Sequence, residues 1–252
     1  MNNQKFDRGV GLIYRYHKLN HSSSRSWRLI FRPICASTEI ELSKLIAERP
    51  VKKNQLIAIF SSCQRFGQGQ AGRIWHAPKG GVWVSAAIQR EGLCENNSQL
   101  YGLAVALALV ERIERIGVNV NIKWPNDLLV DGQKLAGILP RLFFRGGKLR
   151  LLRVGVGLNV FNKVPREGIS LQQIIGYKKM NINFWSSEVL LAIERSLDFL
   201  SDKNFLVSQV EKRFWSRKYI DKKTGCRWDI KGIDSSGRLI IFNEDKEKVL
   251  SA

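Results

Sequence analysis

Two apolar segments, QLIAIF at 55–60 and VWVSAAI at 82–88, bracket a stretch with glycines at 67, 69, 72, 80 and 81 and no helix-forming run. Gly67-x-Gly69-x-x-Gly72 has the spacing of a dinucleotide-binding loop, but that loop needs its glycines to open a helix inside a βαβ unit. Here the chain passes through Trp75, Pro78 and Gly80-Gly81 straight into the next strand, so a nicotinamide-binding unit does not fit. What remains is a loop free to adopt positive φ and to approach a ligand closely. Its successive backbone N–H groups can form a concavity for oxyanions, and Arg73 adds a permanently charged donor. A plain surface turn is the alternative on the loop alone.

The rest of the chain alternates hairpins with helices. A strand is expected at 27–31 (WRLIF), then a helix from Glu39 to Glu48 ended by Pro50. Leu100, Leu103, Leu107 and Val110 repeat at helical spacing, so 98–117 reads as a helix closed by Gly117. Asp131-Gly132 is a hairpin signal joining 119–130 to 133–139, and a second strand pair, 138–145 and 149–160, meets across Gly146-Gly147. Ser186 or Ser187 could cap a helix through Leu200, and a basic helix follows near 204–217. Short strands around Ser236-Gly237 complete the chain. This order predicts an α+β fold with a mixed or antiparallel sheet. The expected divisions are a flexible basic leader at 1–26, a main domain at 27–217 and a small β domain at 218–252.

Lys123 precedes Trp124-Pro125-Asn126-Asp127 at the end of an expected strand. Ile122 and Trp124 then face one way and Lys123 the other, and Pro125 ends the strand. An ammonium held there could draw two anions together, which is what activation of a carboxylate by a nucleotide demands. An exposed strand lysine is the alternative.

Taken together these segments resemble the biotin–protein ligases. The family's glycine-rich adenylate loop is matched by Gly67-Gln68-Gly69-Gln70-Ala71-Gly72-Arg73-Ile74-Trp75, its KWPND and KLAGIL segments by Lys123–Asp127 and Lys134–Leu139, and its IGxGIN segment by Val154–Asn159. Ser37-Thr38-Glu39 is similar to its Ser-Thr-Asn. The resemblance implies a class II synthetase-like fold of the biotin/lipoate ligase type with a C-terminal SH3-like domain. It implies that biotin and ATP, with Mg²⁺ expected, form biotinyl-5′-AMP, which is passed to a lysine of a biotin carboxyl carrier protein such as that of acetyl-CoA carboxylase. Lys123 would be the main catalytic cation, with Arg73 meeting phosphate. Ser37, Thr38, Glu39, Gln64, Gln68, Gly69 and Gln70 would line the biotin site. Gly67, Gly72, Asn126, Gly137, Gly157 and Asn159 would serve the nucleotide. Thr38-x-x-Glu41 also matches a capping box, Asn159 could simply hold a turn, and Trp75 and Trp124 read more readily as core than as adenine stackers. The loop departs from the family's arginines at Gln68, Gln70 and Ala71, which implies looser retention of the adenylate.

The chain carries 41 basic and 22 acidic residues, a net charge of +19, which attracts polyanions or an acidic partner without specifying which. No helix-turn-helix pattern precedes residue 27, so a monofunctional ligase without specific DNA binding is expected. No apolar run reaches the roughly 20 residues of a membrane span. Cys35, Cys63, Cys94 and Cys226 are scattered, which fits a reducing cytoplasm. A lipoate-type ligase and a basic nucleic-acid-binding module are the competing readings.

Overall fold

The computed structural model describes residues 8–20, 26–49, 51, 55–89, 98–145, 148–176, 180–221, 223–244 and 246–252. Cys94, the Gly146-Gly147 turn and most of the HSSSRS stretch lie outside the described residues.

The frame is one mixed sheet. Strand β1 (Ser26–Cys35) leads through helix α2 (Thr38–Glu48) to β2 (Gln55–Gln68), which pairs with β1 in parallel. The other strand-to-strand ladders among the described residues are antiparallel. After a single tight turn at Gln70–Gly72, β3 (Ile74–Ala77) folds back on β2. Then come β4 (Val82–Ile88), helix α3 (Ser98–Glu114), β5 (Asn121–Lys123), β6 (Asp127–Val130), β7 (Gln133–Arg145) and β8 (Lys148–Leu158). The order across the sheet is β1-β2-β4-β8-β7-β6-β5, with β3 on β2.

Period-two alternation decides which layer each strand residue joins. Leu56, Ala58 and Phe60 of β2 join the large core around α3. Ile57 and Ile59 face the other way, into a smaller core with Leu42 of α2. Because both faces are covered, the strand reads as an unbroken apolar run. Helix α3 is buried nearly all round, with Leu100, Leu103 and Leu107 fully enclosed, between the sheet and helix α5 (Ile182–Phe199).

Several expectations shift. The basic leader contains a helix, α1 (Arg8–Asn20), docked on α5. His17 Nε2 lies 2.9 Å from Glu194 Oε1, and Trp27 Nε1 donates to the same oxygen, all three being buried. The segment 119–130 forms two strands, β5 and β6, divided at Trp124-Pro125, a cis bond, where Pro125 was expected to end the first. Asp131 and Gly132 do adopt positive φ, 48° and 79°, between β6 and β7. Helix α5 starts at Asn181, whose side chain accepts from Asn183 and Phe184 N–H, so Ser186 and Ser187 are interior rather than caps. A short helix, α4 (Leu171–Ile175), precedes it, and α6 (Lys203–Lys212) follows.

The C-terminal segment forms its own four-stranded antiparallel sheet from β9 (Lys218–Ile220), β10 (Arg227–Ile233), β11 (Leu239–Asn243) and β12 (Lys246–Leu250). It docks on the larger unit. Trp124 Nε1 donates to Gly237 O at 2.9 Å, and Glu211 of α6 accepts from Ile233 N–H at 2.8 Å. Gly237 has φ +85°, and a Cβ there would stand 2.6 Å from Leu100 N at the start of α3. Gly237→Ala therefore combines left-handed strain with a backbone clash. We expect a loss of about 2–4 kcal/mol, read as a lower denaturation midpoint in urea.

Candidate active site

Between α2, the β2–β3 turn and the middle of the sheet lies a partly open cleft with a cavity volume of about 120 Å³. One part of its wall is neutral and polar. Ser37 caps α2, its hydroxyl accepting from Glu39 N–H at 3.3 Å. The cap is thus Ser37, not Thr38. Thr38 is released for the cleft: its hydroxyl donates to Gln64 Oε1 at 3.1 Å and lies 2.8 Å from Ser85 Oγ, while its N–H donates to Gln64 Oε1 at 2.7 Å. These groups present amide and hydroxyl dipoles without net charge.

Another part of the wall is built around Trp75. Gly137 on β7 and Gly157 on β8 are directly paired. A Cβ at Gly157 would lie 2.5 Å from the indole Cε2, and one at Gly137 2.8 Å from Cζ3. The two glycines form a bare trough in which the indole lies, so their lack of side chain serves Trp75 first. Trp83 meets the indole edge-on, at 6.2 Å between centroids. Lys134 Nζ sits 4.9 Å from the Trp75 ring centre and 2.7 Å from Asp127 Oδ1. This ammonium is therefore fixed by an ion pair and an aromatic face. Asn126 and Asn159 brace the same corner: Asn126 Nδ2 donates to Ile138 O at 2.7 Å, and Asn159 Nδ2 to Lys134 O at 3.1 Å.

The cleft brings together Ser37, Thr38, Glu39, Gln64, Gln68, Gly69, Gln70, Arg73, Asn126, Gly137 and Gly157 of the residues expected from sequence. Four others are not on its wall. Lys123 stands exposed on β5, the edge strand. It does face away from buried Ile122, as alternation requires, but that direction leads to solvent and not to the cleft. Lys134 does line the cleft. Gly67 is bare because a Cβ would lie 2.5 Å from Trp75 O across the β2–β3 pair, and Gly72 (φ +74°) shapes the turn. Asn159 is buried, and its Oδ1 accepts from Asn162 Nδ2 at 3.0 Å.

Lys134, Trp75, Asp127 and Ser85 were missed as site residues. Lys134 lay inside a quoted motif, but strict alternation from Gly137 would turn it away. A bulge corrects the phase: Leu128 pairs with Ala136 and Leu129 with Lys134, leaving Leu135 extra. Magnesium finds no preformed cage, since no group of three or more potential metal-binding side chains occurs among the described residues. The carboxylates of the cleft, Glu39 and Asp127, are each already engaged by a cation. Nor is any helix among the described residues long and apolar enough to cross a membrane.

The biotin/lipoate A/B protein ligase family model matches residues 38–159, the segment that carries most of the cleft. The chain is 31% identical to the bifunctional ligase/repressor BirA of Bacillus subtilis, over 97% of this chain and 81% of that one. It is 34% identical to biotin–protein ligase 2 of Arabidopsis thaliana, over 86% of this chain and 70% of the relative. Among solved structures, the Aquifex aeolicus biotin protein ligase in complex with biotin and ATP superposes with a TM-score of 0.69 at 22% identity, covering 88% of this chain and 95% of that one. The Leishmania major biotin protein ligase in complex with biotinyl-5-AMP superposes at 0.61 and 20% identity, covering 89% and 99%. These two share the fold. The chain belongs to the biotin/lipoate A/B protein ligase family, among its biotin–protein ligases.

Proposed function

We propose that the cleft joins biotin to ATP as biotinyl-5′-AMP and passes the acyl group to a lysine of a biotin carboxyl carrier protein. The supporting observation is the pairing of a neutral hydrogen-bonding wall with a single fixed ammonium. Gln64 is on β2 and Lys134 on β7, strands separated by β4 and β8 in the sheet order. A cyclic urea bearing a carboxylate on a flexible chain has those same two features. Thr38, Gln64 and Ser85 suit the urea, whose oxygen and N–H groups need neutral partners. A dithiolane offers these dipoles no polar partner beyond those they give one another, which favours biotin over lipoate.

In this reading Lys134, not Lys123, brings the carboxylate to the α-phosphate. A carboxylate oxygen attacks phosphorus and pyrophosphate leaves. The ammonium offsets repulsion between the two anions and the charge that builds up in the transition state. Asp127 and Trp75 hold the ammonium in place, so little reorganisation is needed. The amine of the carrier lysine then attacks the acyl carbon, and AMP departs with the electrons of the broken C–O bond. The Gly69–Gly72 turn, lying over the cleft, limits the access of water to the anhydride.

The direct experiment is transfer of labelled biotin to a carrier domain with and without ATP. Label fixed only with ATP is expected; none would refute the reading. Lys134→Ala should slow biotin-dependent ATP–pyrophosphate exchange by about 10²–10³-fold, while Lys123→Ala leaves it near wild type. The reverse pattern would restore the edge-strand lysine to the mechanism. Thr38→Val, which swaps a hydroxyl for a methyl, should raise the KM for biotin about 10–100-fold with little change in kcat, since it removes binding common to ground and transition states.

A further inference from the structure

A second cavity, of about 340 Å³, lies between α1, α5 and the strands β1, β2 and β4. It is larger than the cleft and falls within the roughly 300–1,000 Å³ of small-molecule sites. Strand alternation separates the two: Ser85 of β4 lines the cleft, whereas Val82 faces the large core and this cavity. Most of the lining is apolar. Ile13 of α1, Phe31 of β1, Phe60 of β2 and Val82 belong to that core or pack against it.

The polar part of the lining is short of partners. Ser186 of α5 is only 4% exposed, yet its hydroxyl makes no hydrogen bond among the described residues. A buried hydroxyl ordinarily has a partner. The side-chain amide of Asn183, on the same face of α5, makes none either. Lys79 lines the cavity from the turn between β3 and β4 and has no ion pair among the described residues. Its turn is pinned: Pro78 O accepts from Trp83 Nε1 at 2.7 Å, and Gly80 O from Phe161 N–H at 2.8 Å. No acidic side chain among the described residues lines the cavity, and the first turns of α5 bring the positive end of a long helix to it. A guest must therefore satisfy an ammonium, an amide and a hydroxyl, and must also cover aliphatic and aromatic surface. Water meets the first demand only, a hydrocarbon the second only. A carboxylate with an apolar body meets both.

We propose that this cavity is a second ligand site, separate from the cleft, for a small amphipathic carboxylate of the medium-chain fatty acid class. Lys79, Asn183 and Ser186 take the carboxylate, and the chain lies against Ile13, Phe31, Phe60 and Val82. The site does not depend on the reaction assigned to the cleft. It does adjoin it, since Trp83 lines the cavity and its ring meets that of Trp75 edge-on.

The test is calorimetric titration of the full chain with octanoate, with octanol and acetate as probes of its two halves. Octanoate should bind saturably at one site. Octanol, which keeps the chain and loses the charge, should bind about 10-fold more weakly, and acetate, which keeps the charge and loses the chain, not measurably. Lys79→Ala removes an exposed side chain and should keep the wild-type melting temperature. It should weaken octanoate about 10-fold and leave octanol unchanged. Ser186→Leu fills the cavity from the helix side and should abolish binding of both. Saturating biotin should not displace octanoate. The proposal is overturned by absence of saturable binding, by equal affinity for octanol, or by an unchanged affinity in Lys79→Ala. Displacement by biotin, or binding retained in folded Ser186→Leu protein, would overturn it as well.

Discussion

The indole of Trp75 lying across two paired glycines is the contact on which the site depends. A side chain at Gly137 or Gly157 would have to occupy the ring's own volume. Once seated, the ring supplies one wall of the cleft, a face for the Lys134 ammonium and an edge for Trp83. It also anchors β3 against β2, where Gly67 must be bare so that the Trp75 carbonyl can approach. The turn between these strands is therefore held at both ends, by Gly69 N–H donating to Arg73 O at 2.7 Å and by Arg141 donating to Gln68. A glycine-rich segment that reads as free to move is, in the folded chain, the tip of a hairpin.

The elements that were legible in the sequence share a physical trait: their periodicity is enforced by burial on a known face. Helix α3 and strands β2 and β4 lie inside the core, so every residue contributes to the pattern. The hairpin at Asp131-Gly132 was legible because only residues that tolerate positive φ suit it. Helix α1 was not, because among its described side chains only Val10, Ile13 and His17 are buried, too few to set a pattern. His17, Trp27 and Glu194 meet only once α5, far along the chain, is in place. Ser186 and Ser187 misled for the opposite reason, being small polar residues that belong to a buried helix face.

The site divides in the same way. Thr38, Gln64, Gln68 and Arg73 came into view because their segments had a recognisable order, and the fold assembles them on one cleft. The choice between two lysines did not, because it turns on a single bulge. Lys123 and Lys134 both sit near strand ends in quoted motifs, and alternation alone points the first outward usefully and the second away. Leu135, the extra residue on β7, reverses the phase and brings Lys134 onto the face of Gly137. Lys123, exposed on β5 at the far end of the sheet order, is not on the cleft wall.

Electrostatics complete the argument. A site for two anions cannot simply accumulate cations, because unpaired buried charge is costly and like charges repel. Here the Lys134 ammonium of the cleft is held by Asp127, and behind the neutral wall Arg153 and Arg141 share Glu39. Glutamic acid at position 39, where the family resemblance leads one to expect asparagine, thus ceases to be an anomaly. It is the counter-ion that lets two arginines stand side by side on β7 and β8, so the charge of this residue is spent on the frame of the site and not on its ligand.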